Sequence, residues 1–220
     1  MLSKRAAFTK SAASFGGLSR GGRPATRASA GRLFVISASS GTGKTTLANE
    51  LLKEDSRLVR SVSCTTRPPR AGETEGEHYY FISKNEFLEK KKKREFLEWA
   101  NVFGRYYGTP KQKVESLLRQ GKDVLLVIDV QGAKQVKKTR PDAVFIFLAP
   151  PSKEELKRRL EKRGTESREE INRRYRVATK ELQELNDLKL CDYRIVNRDI
   201  GTCYQALKAI LEAERGRDGR

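Results

Sequence analysis

The 220-residue sequence predicts an α/β fold, a parallel sheet with helices on both faces, and three observations lead there. Apolar runs at Leu33–Ser37, Val124–Ile128 and Val144–Leu148 lack polar alternation, as strands buried on two faces require, and Tyr193–Val196 reads as a fourth strand. Helical stretches separate these runs, so strand and helix alternate. A Ser/Gly/Thr loop follows the first run and opens into a helix at Thr45–Glu54, where Leu47, Leu51 and Leu52 share one face.

Taken in order, residues 1–31 are rich in Ser, Ala, Gly and Arg and contain no acid, so they read as a disordered basic tail. An organelle transit peptide and an upstream extension have the same composition; the glycine pairs at 16–17 and 21–22 argue against an amphipathic import helix and favour the tail. From residue 32 to 215 the texture is that of one folded domain, with core segments at 32–64, 111–150 and 188–215. A polar insertion at 65–110, rich in Arg, Tyr, Glu and Gly, interrupts the core. Within it the run Lys90–Arg94 predicts a solvated helix over Glu86–Trp99. Helices follow at Pro110–Gln120 and Ser152–Arg163, the latter opening a second, arginine-rich helical insertion at 151–187.

Composition excludes several classes. The sequence is 37% hydrophobic and 34% charged, and no apolar run approaches the ~20 residues a membrane-spanning helix needs. Three cysteines and one histidine exclude a disulfide scaffold and a histidine metal centre, and point to a reducing, cytoplasmic setting; a mitochondrion or plastid is the alternative if 1–31 is a transit peptide. The formal charge of +18 invites a nucleic-acid reading. Seven basic residues sit in 1–32, and the remaining 39 still exceed the 28 acids, but a basic cleft suits a nucleotide as well as a nucleic acid. The Lys90–Arg94 run has no aromatic interleaving, so no specific nucleic-acid partner is expected.

The segment Ala38-Ser39-Ser40-Gly41-Thr42-Gly43-Lys44-Thr45-Thr46 lies between a strand and a helix, the setting of a Walker A loop. Its glycines let successive N–H groups converge on phosphate oxygens, and the helix start adds positive potential. Lys44 would reach the β- and γ-phosphates, and Thr45 would offer a hydroxyl to Mg²⁺. Ala38 replaces the first glycine of the consensus. Asp129, closing the Val124–Ile128 strand, is placed as a Walker B acid that holds the metal through water or contacts substrate.

The insertion carries a more specific pattern: Ser61-Val62-Ser63-Cys64-Thr65-Thr66-Arg67-Pro68-Pro69-Arg70-Ala71-Gly72-Glu73, Gly76-Glu77-His78-Tyr79, Phe96-Leu97-Glu98-Trp99-Ala100 and Tyr106-Tyr107-Gly108-Thr109. With Ile128-Asp129-Val130-Gln131-Gly132-Ala133, Arg163-Gly164-Thr165-Glu166 and Ile195-Val196-Asn197, it resembles the guanylate kinases over about residues 32–215. The resemblance implies a P-loop NTPase core, a GMP-binding insertion at 65–110 and a helical lid at 151–187. It implies Mg²⁺-dependent transfer of the γ-phosphoryl group from ATP to GMP by a monomer or small homo-oligomer. Arg67, Arg70, Tyr79 and Tyr107 would grip the GMP phosphate, with Ser63, Glu98 and Thr109 around the base and Asp129 also in the GMP site. Arg159, Arg163 and Arg174 would join Lys44 on the transferring phosphates, and Asn197 would border the adenine. Base chemistry supports Glu98, since a carboxylate accepts from guanine N1–H and N2–H₂ but meets an acceptor at adenine N1.

Val127 stands where the family usually has an acid, Cys64 where Ser or Thr is common, and Thr109 where Ser is usual. A non-catalytic scaffold of the guanylate-kinase-like type is opposed by Lys44 and Thr45, and a kinase for another nucleoside monophosphate by Glu98 and Thr109.

Overall fold

A computed structural model describes residues 9–10, 30–39, 42–162, 167–187 and 190–217. Most of the expected tail, together with Ser40, Gly41 and Arg163, lies outside them. Strands β1 (Thr9–Lys10), β2 (Leu33–Ala38), β3 (Leu58–Arg60), β8 (Asp123–Ile128), β9 (Val144–Ala149) and β10 (Tyr193–Val196) form a sheet in the order β1-β10-β9-β2-β8-β3. Five of these run parallel, and β1 pairs antiparallel on the β10 edge. β2 lies between β8 and β9, so the loop after it opens where the strand order switches direction, the customary ligand crevice of such sheets.

Both faces of this sheet are covered, as the missing alternation predicts. Phe34, Ile36, Leu125, Ile146 and Leu148 pack under α1 (Lys44–Glu54) and α7 (Ile200–Gly216). Leu33, Val35, Val124, Leu126 and Phe145 pack under α3 (Lys111–Arg119) and α4 (Val130–Thr139). Each such fully buried side chain contributes about 1.5–3 kcal/mol, which fixes β2 and β8 and hence the loops at their ends. Among the described residues no helix is long and apolar enough to cross a membrane.

The first insertion is a second sheet, in the order β5-β4-β7-β6, from β4 (Cys64–Thr65), β5 (Tyr80–Phe81), β6 (Phe96–Val102) and β7 (Arg105–Pro110). Here the expected helix over Glu86–Trp99 is corrected. The helix, α2 (Lys84–Lys92), is capped by Ser83 and stops early. Arg94 turns left-handed at φ 56°, Arg94 N–H returns to Lys91 C=O and Glu95 N–H to Lys90 C=O, the paired bonds of a Schellman ending. The aromatic and apolar residues that follow then pair with β7, with Glu98 opposite Thr109 and Ala100 opposite Tyr107. Glu98 therefore sits on a strand and is buried.

The second insertion is helical, as expected. α5 (Lys153–Glu161) begins at the Ser152 cap, and α6 (Arg168–Asp187) packs on it through Ala178 against Leu156 and Leu160. Leu182 of α6 reaches a small cluster with Val130, Phe147 and Ala149, which sets the helix beside the start of α4.

Candidate active site

The loop after β2 is held from several sides. Gly43 has φ 85°, a conformation glycine adopts without penalty, and a Cβ there would meet Asn197 Nδ2 at 3.0 Å. Thr42 Oγ1 donates to Ser39 C=O at 2.7 Å, and buried Asn197 donates from Nδ2 to Thr42 C=O at 2.6 Å. Asn197 thus supports the loop directly. Its own C=O accepts from Arg159 Nη2 at 3.0 Å, while Arg159 Nε donates to Glu155 at 2.7 Å, so a chain of bonds runs from the base of the helical insertion into the loop. Lys44 Nζ donates to Ala38 C=O at 3.2 Å and to Ile128 C=O at 3.1 Å, which keeps its charge over the ends of β2 and β8. Thr45 and Thr46 are exposed on the first turn of α1.

Asp129 caps α4, one carboxylate oxygen accepting from Gly132 N–H at 2.8 Å. Val127 is half-buried in the cluster beneath α1 and gives this edge no second acid. Thr45 hydroxyl and an Asp129 carboxylate oxygen are donors of the oxygen type that Mg²⁺ takes, while among the described residues no cluster of three or more His, Cys, Asp or Glu is set to hold a metal.

Three of the residues expected toward the base, Ser63, Glu98 and Thr109, come together at the second sheet. Thr109 Oγ1 donates to Glu98 Oε1 at 2.5 Å and lies 3.4 Å from Ser63 Oγ, so Ser63, Thr109 and Glu98 form a continuous polar row. Glu98 is 4% exposed, and burial raises its carboxyl to about 7; the Asp129 charge adds to the rise, while the Thr109 hydrogen bond and Lys44 oppose it. Gly132 makes room for this carboxylate, because a Cβ there would stand 2.4 Å from Glu98 Oε2. Gln135, one turn on, fastens the strand by donating to Trp99 C=O at 2.6 Å and accepting from Trp99 N–H at 3.2 Å.

A second cluster surrounds Arg67. Its guanidinium makes a two-pronged bond to Glu73, both arms at 2.8 Å, and lies 5.4 Å from the Tyr79 ring, which meets Tyr107 edge-on at 6.0 Å. Arg67 holds the Glu73 carboxyl down at about 2. Arg70 is exposed next to it, its N–H donating to the same Glu73 at 2.7 Å. Arg67, Arg70, Tyr79 and Tyr107 thus come together, with guanidinium forks and phenols able to wrap a phosphate dianion. Cys64 lines a separate cavity of about 410 Å³ with Tyr80, Phe96 and Lys113, and burial pushes its thiol to about 11.

Residue types and spacing do not give a role to Glu73, Gly132, Gln135 or Glu181. For Gly132 a signal exists: a glycine inside α4 is unfavourable there unless something approaches closely. Glu181, on α6, is carried by Leu182 packing to the electrostatic reach of Asp129 and Lys44, and burial raises its carboxyl to about 7; nothing in its local sequence marks it. Arg174, also on α6, pairs with Glu170 at 3.7 Å.

A Walker A sequence between β2 and α1, with its lysine in electrostatic reach of a buried carboxylate that is flanked by hydroxyls, is what a P-loop kinase for a small nucleotide would need. The sequence profile of the family described as guanylate kinase matches residues 30–214. The guanylate kinase of Clostridioides difficile is 46% identical over 190 residues, covering 86% of this chain and 91% of that one, and that of Clostridium tetani is 48% identical over 190 residues, covering 86% and 89%. The crystal structure of guanylate kinase from Anaplasma phagocytophilum superposes with a TM-score of 0.68 at 38% identity, covering 84% of this chain and 87% of that one. The chain belongs to the guanylate kinase family.

Proposed function

We propose that the chain transfers the γ-phosphoryl group of ATP to GMP, giving ADP and GDP, in a Mg²⁺-dependent direct reaction within purine nucleotide metabolism. The observation that carries the choice of GMP is the row Ser63–Thr109–Glu98, a buried carboxylate with hydroxyl neighbours. Ionised Glu98 accepts from guanine N1–H and N2–H₂, and a hydroxyl of the row donates to O6. Arg67, Arg70, Tyr79 and Tyr107 hold the GMP phosphate, Glu73 keeping the Arg67 fork rigid until substrate arrives.

Residues 38–46 bind the ATP phosphates, and Asn197 borders the adenine while holding Thr42 in place. Thr45 and, through water, Asp129 would hold Mg²⁺, which when bound would supply charge neutralisation on the phosphates. A phosphate oxygen of GMP attacks the γ-phosphorus in line as the bond to the bridging oxygen of ADP breaks, so no covalent enzyme intermediate forms. Lys44, Arg159, Arg163 and Arg174 place positive charge around the transferring group, where it counts most in the transition state. In this division 65–110 is the GMP-binding insertion, 151–187 the lid and 1–31 a dispensable tail, and the enzyme works in the cytoplasm as a monomer or small homo-oligomer.

The test is ADP release with GMP, AMP, CMP and UMP, with and without Mg²⁺, for the wild type and Lys44→Ala. GMP alone should support rapid turnover, only with Mg²⁺, and Lys44→Ala should lose at least about 100-fold in kcat without losing its fold. A folded wild type inert toward GMP overturns the proposal.

A further inference from the structure

The hairpin joining β6 to β7 turns through Phe103 and Gly104, both left-handed, at φ 52° and 81°. Glycine adopts this region freely, whereas a phenylalanine there is strained by its Cβ. Asn101 Oδ1 accepts from Gly104 N–H at 2.9 Å and stabilises the turn, but any residue at 103 would benefit equally, so the turn does not explain the ring. Its contacts do. Arg173 Cζ lies 4.4 Å and Arg174 Cζ 5.3 Å from the ring centroid, both within the range of cation–π attraction. Phe103 belongs to the sheet that carries Glu98, Thr109 and Tyr107, and both arginines belong to α6, so the ring joins the acceptor sheet to the helical insertion without passing through the core.

We propose that Phe103 is a positioning residue of the transfer reaction, its ring seating Arg173 and Arg174 so that delivery of Arg174 to the phosphoryl group depends on the placement of the acceptor sheet. This rests on the reading of the chain as a GMP kinase. On that reading the first insertion holds GMP and the second serves the ATP phosphates, so a contact shared by the two ties their placements together, and the coupling is reciprocal: each nucleotide tightens the other.

Phe103→Gly separates the ring from the backbone, since glycine relieves the strained φ and removes only the side chain. The variant should keep or raise its melting temperature, yet lose about 3- to 10-fold in kcat with a smaller change in KM for GMP. The gain in GMP affinity on adding a non-hydrolysable ATP analogue, read by calorimetry, should fall toward none. Phe103→Tyr, which retains the ring, should restore both. Wild-type kcat and wild-type coupling in Phe103→Gly, or an equal loss in Phe103→Tyr, overturns the proposal. Those outcomes are judged against a wild type active on GMP; an inert wild type overturns the parent reading instead.

Discussion

At the scale of single residues, Glu98 is pulled in two directions. Burial favours its neutral form and raises it to about 7, with Asp129 adding to the rise and Lys44 and the Thr109 hydroxyl opposing it. Guanine needs the ionised form, because only a carboxylate offers acceptors to both N–H groups. If Glu98 reads guanine as proposed, GMP binding should expel a proton below about pH 7, and KM for GMP should climb up to tenfold per pH unit as the pH falls below that point. For the free protein the sign is opposite: a folded pKa above the unfolded 4.5 contributes stability below pH 4.5 that is lost as the pH rises through about 7. Glu98→Gln removes both effects at once. It should cost about 1–3 kcal/mol of transition-state binding, roughly 10- to 100-fold in kcat/KM for GMP, and flatten the extra pH dependence near 7. GMP and Glu181 titrate equally in both proteins, so the difference between wild type and variant isolates Glu98; coincident pH profiles would remove it from the site.

Among elements, β6 shows how the site is kept in register. It is an edge strand, and its outer side at Trp99 is completed by the Gln135 side chain, which accepts from one backbone group and donates to the other as a neighbouring strand would. Gln135→Ala leaves both groups unpaired and should destabilise the protein by about 1–3 kcal/mol in denaturant unfolding, with a rise in KM for GMP because Glu98 is the adjacent residue. Unchanged stability together with unchanged KM would show that water serves the strand as well. The same strand marks the limit of what the sequence discloses. β2, β8, β9, β10, α1, α3 and α5 are legible because burial on two faces, helical spacing and capping residues are local signals. β6 is not, since the lysine-rich run before it has helical character and only the left-handed turn at Arg94 and pairing with β7 end the helix. The site divides in the same way. Lys44 and Asp129 are singled out by motif, and Arg67 and Glu98 by the family resemblance with chemistry in support, whereas Gly132, Gln135, Glu73 and Glu181 acquire their contacts from neighbours up to dozens of residues away.

On the scale of the whole molecule, the candidate site occupies one end of the sheet and a charged anchor the other. Arg215, 5% exposed near the end of α7, donates to Asp123 at 2.6 Å at the start of β8 and to Asp55 at 2.5 Å after α1. Asp123 also accepts from Arg32 N–H at 2.8 Å, where the chain enters β2. Arg215→Ala takes the cation from buried Asp123 and leaves Asp55 only the more distant Arg57 at 3.8 Å, and should cost about 3 kcal/mol, a fall of roughly 6–12 °C in Tm, while turnover at low temperature stays near that of the wild type. A Tm within a degree of wild type would mean that water satisfies both acids. This anchor, and the apolar face of α7 that fills one side of the sheet, come from the last part of the domain to be synthesised. A nascent chain therefore presents the two insertions and the loop after β2 before the part of the central sheet that α7 covers, beside α1, is closed. Until α7 has been made, Phe34, Ile36, Leu125, Ile146 and Leu148 lack part of their cover and are surfaces for a chaperone to shield.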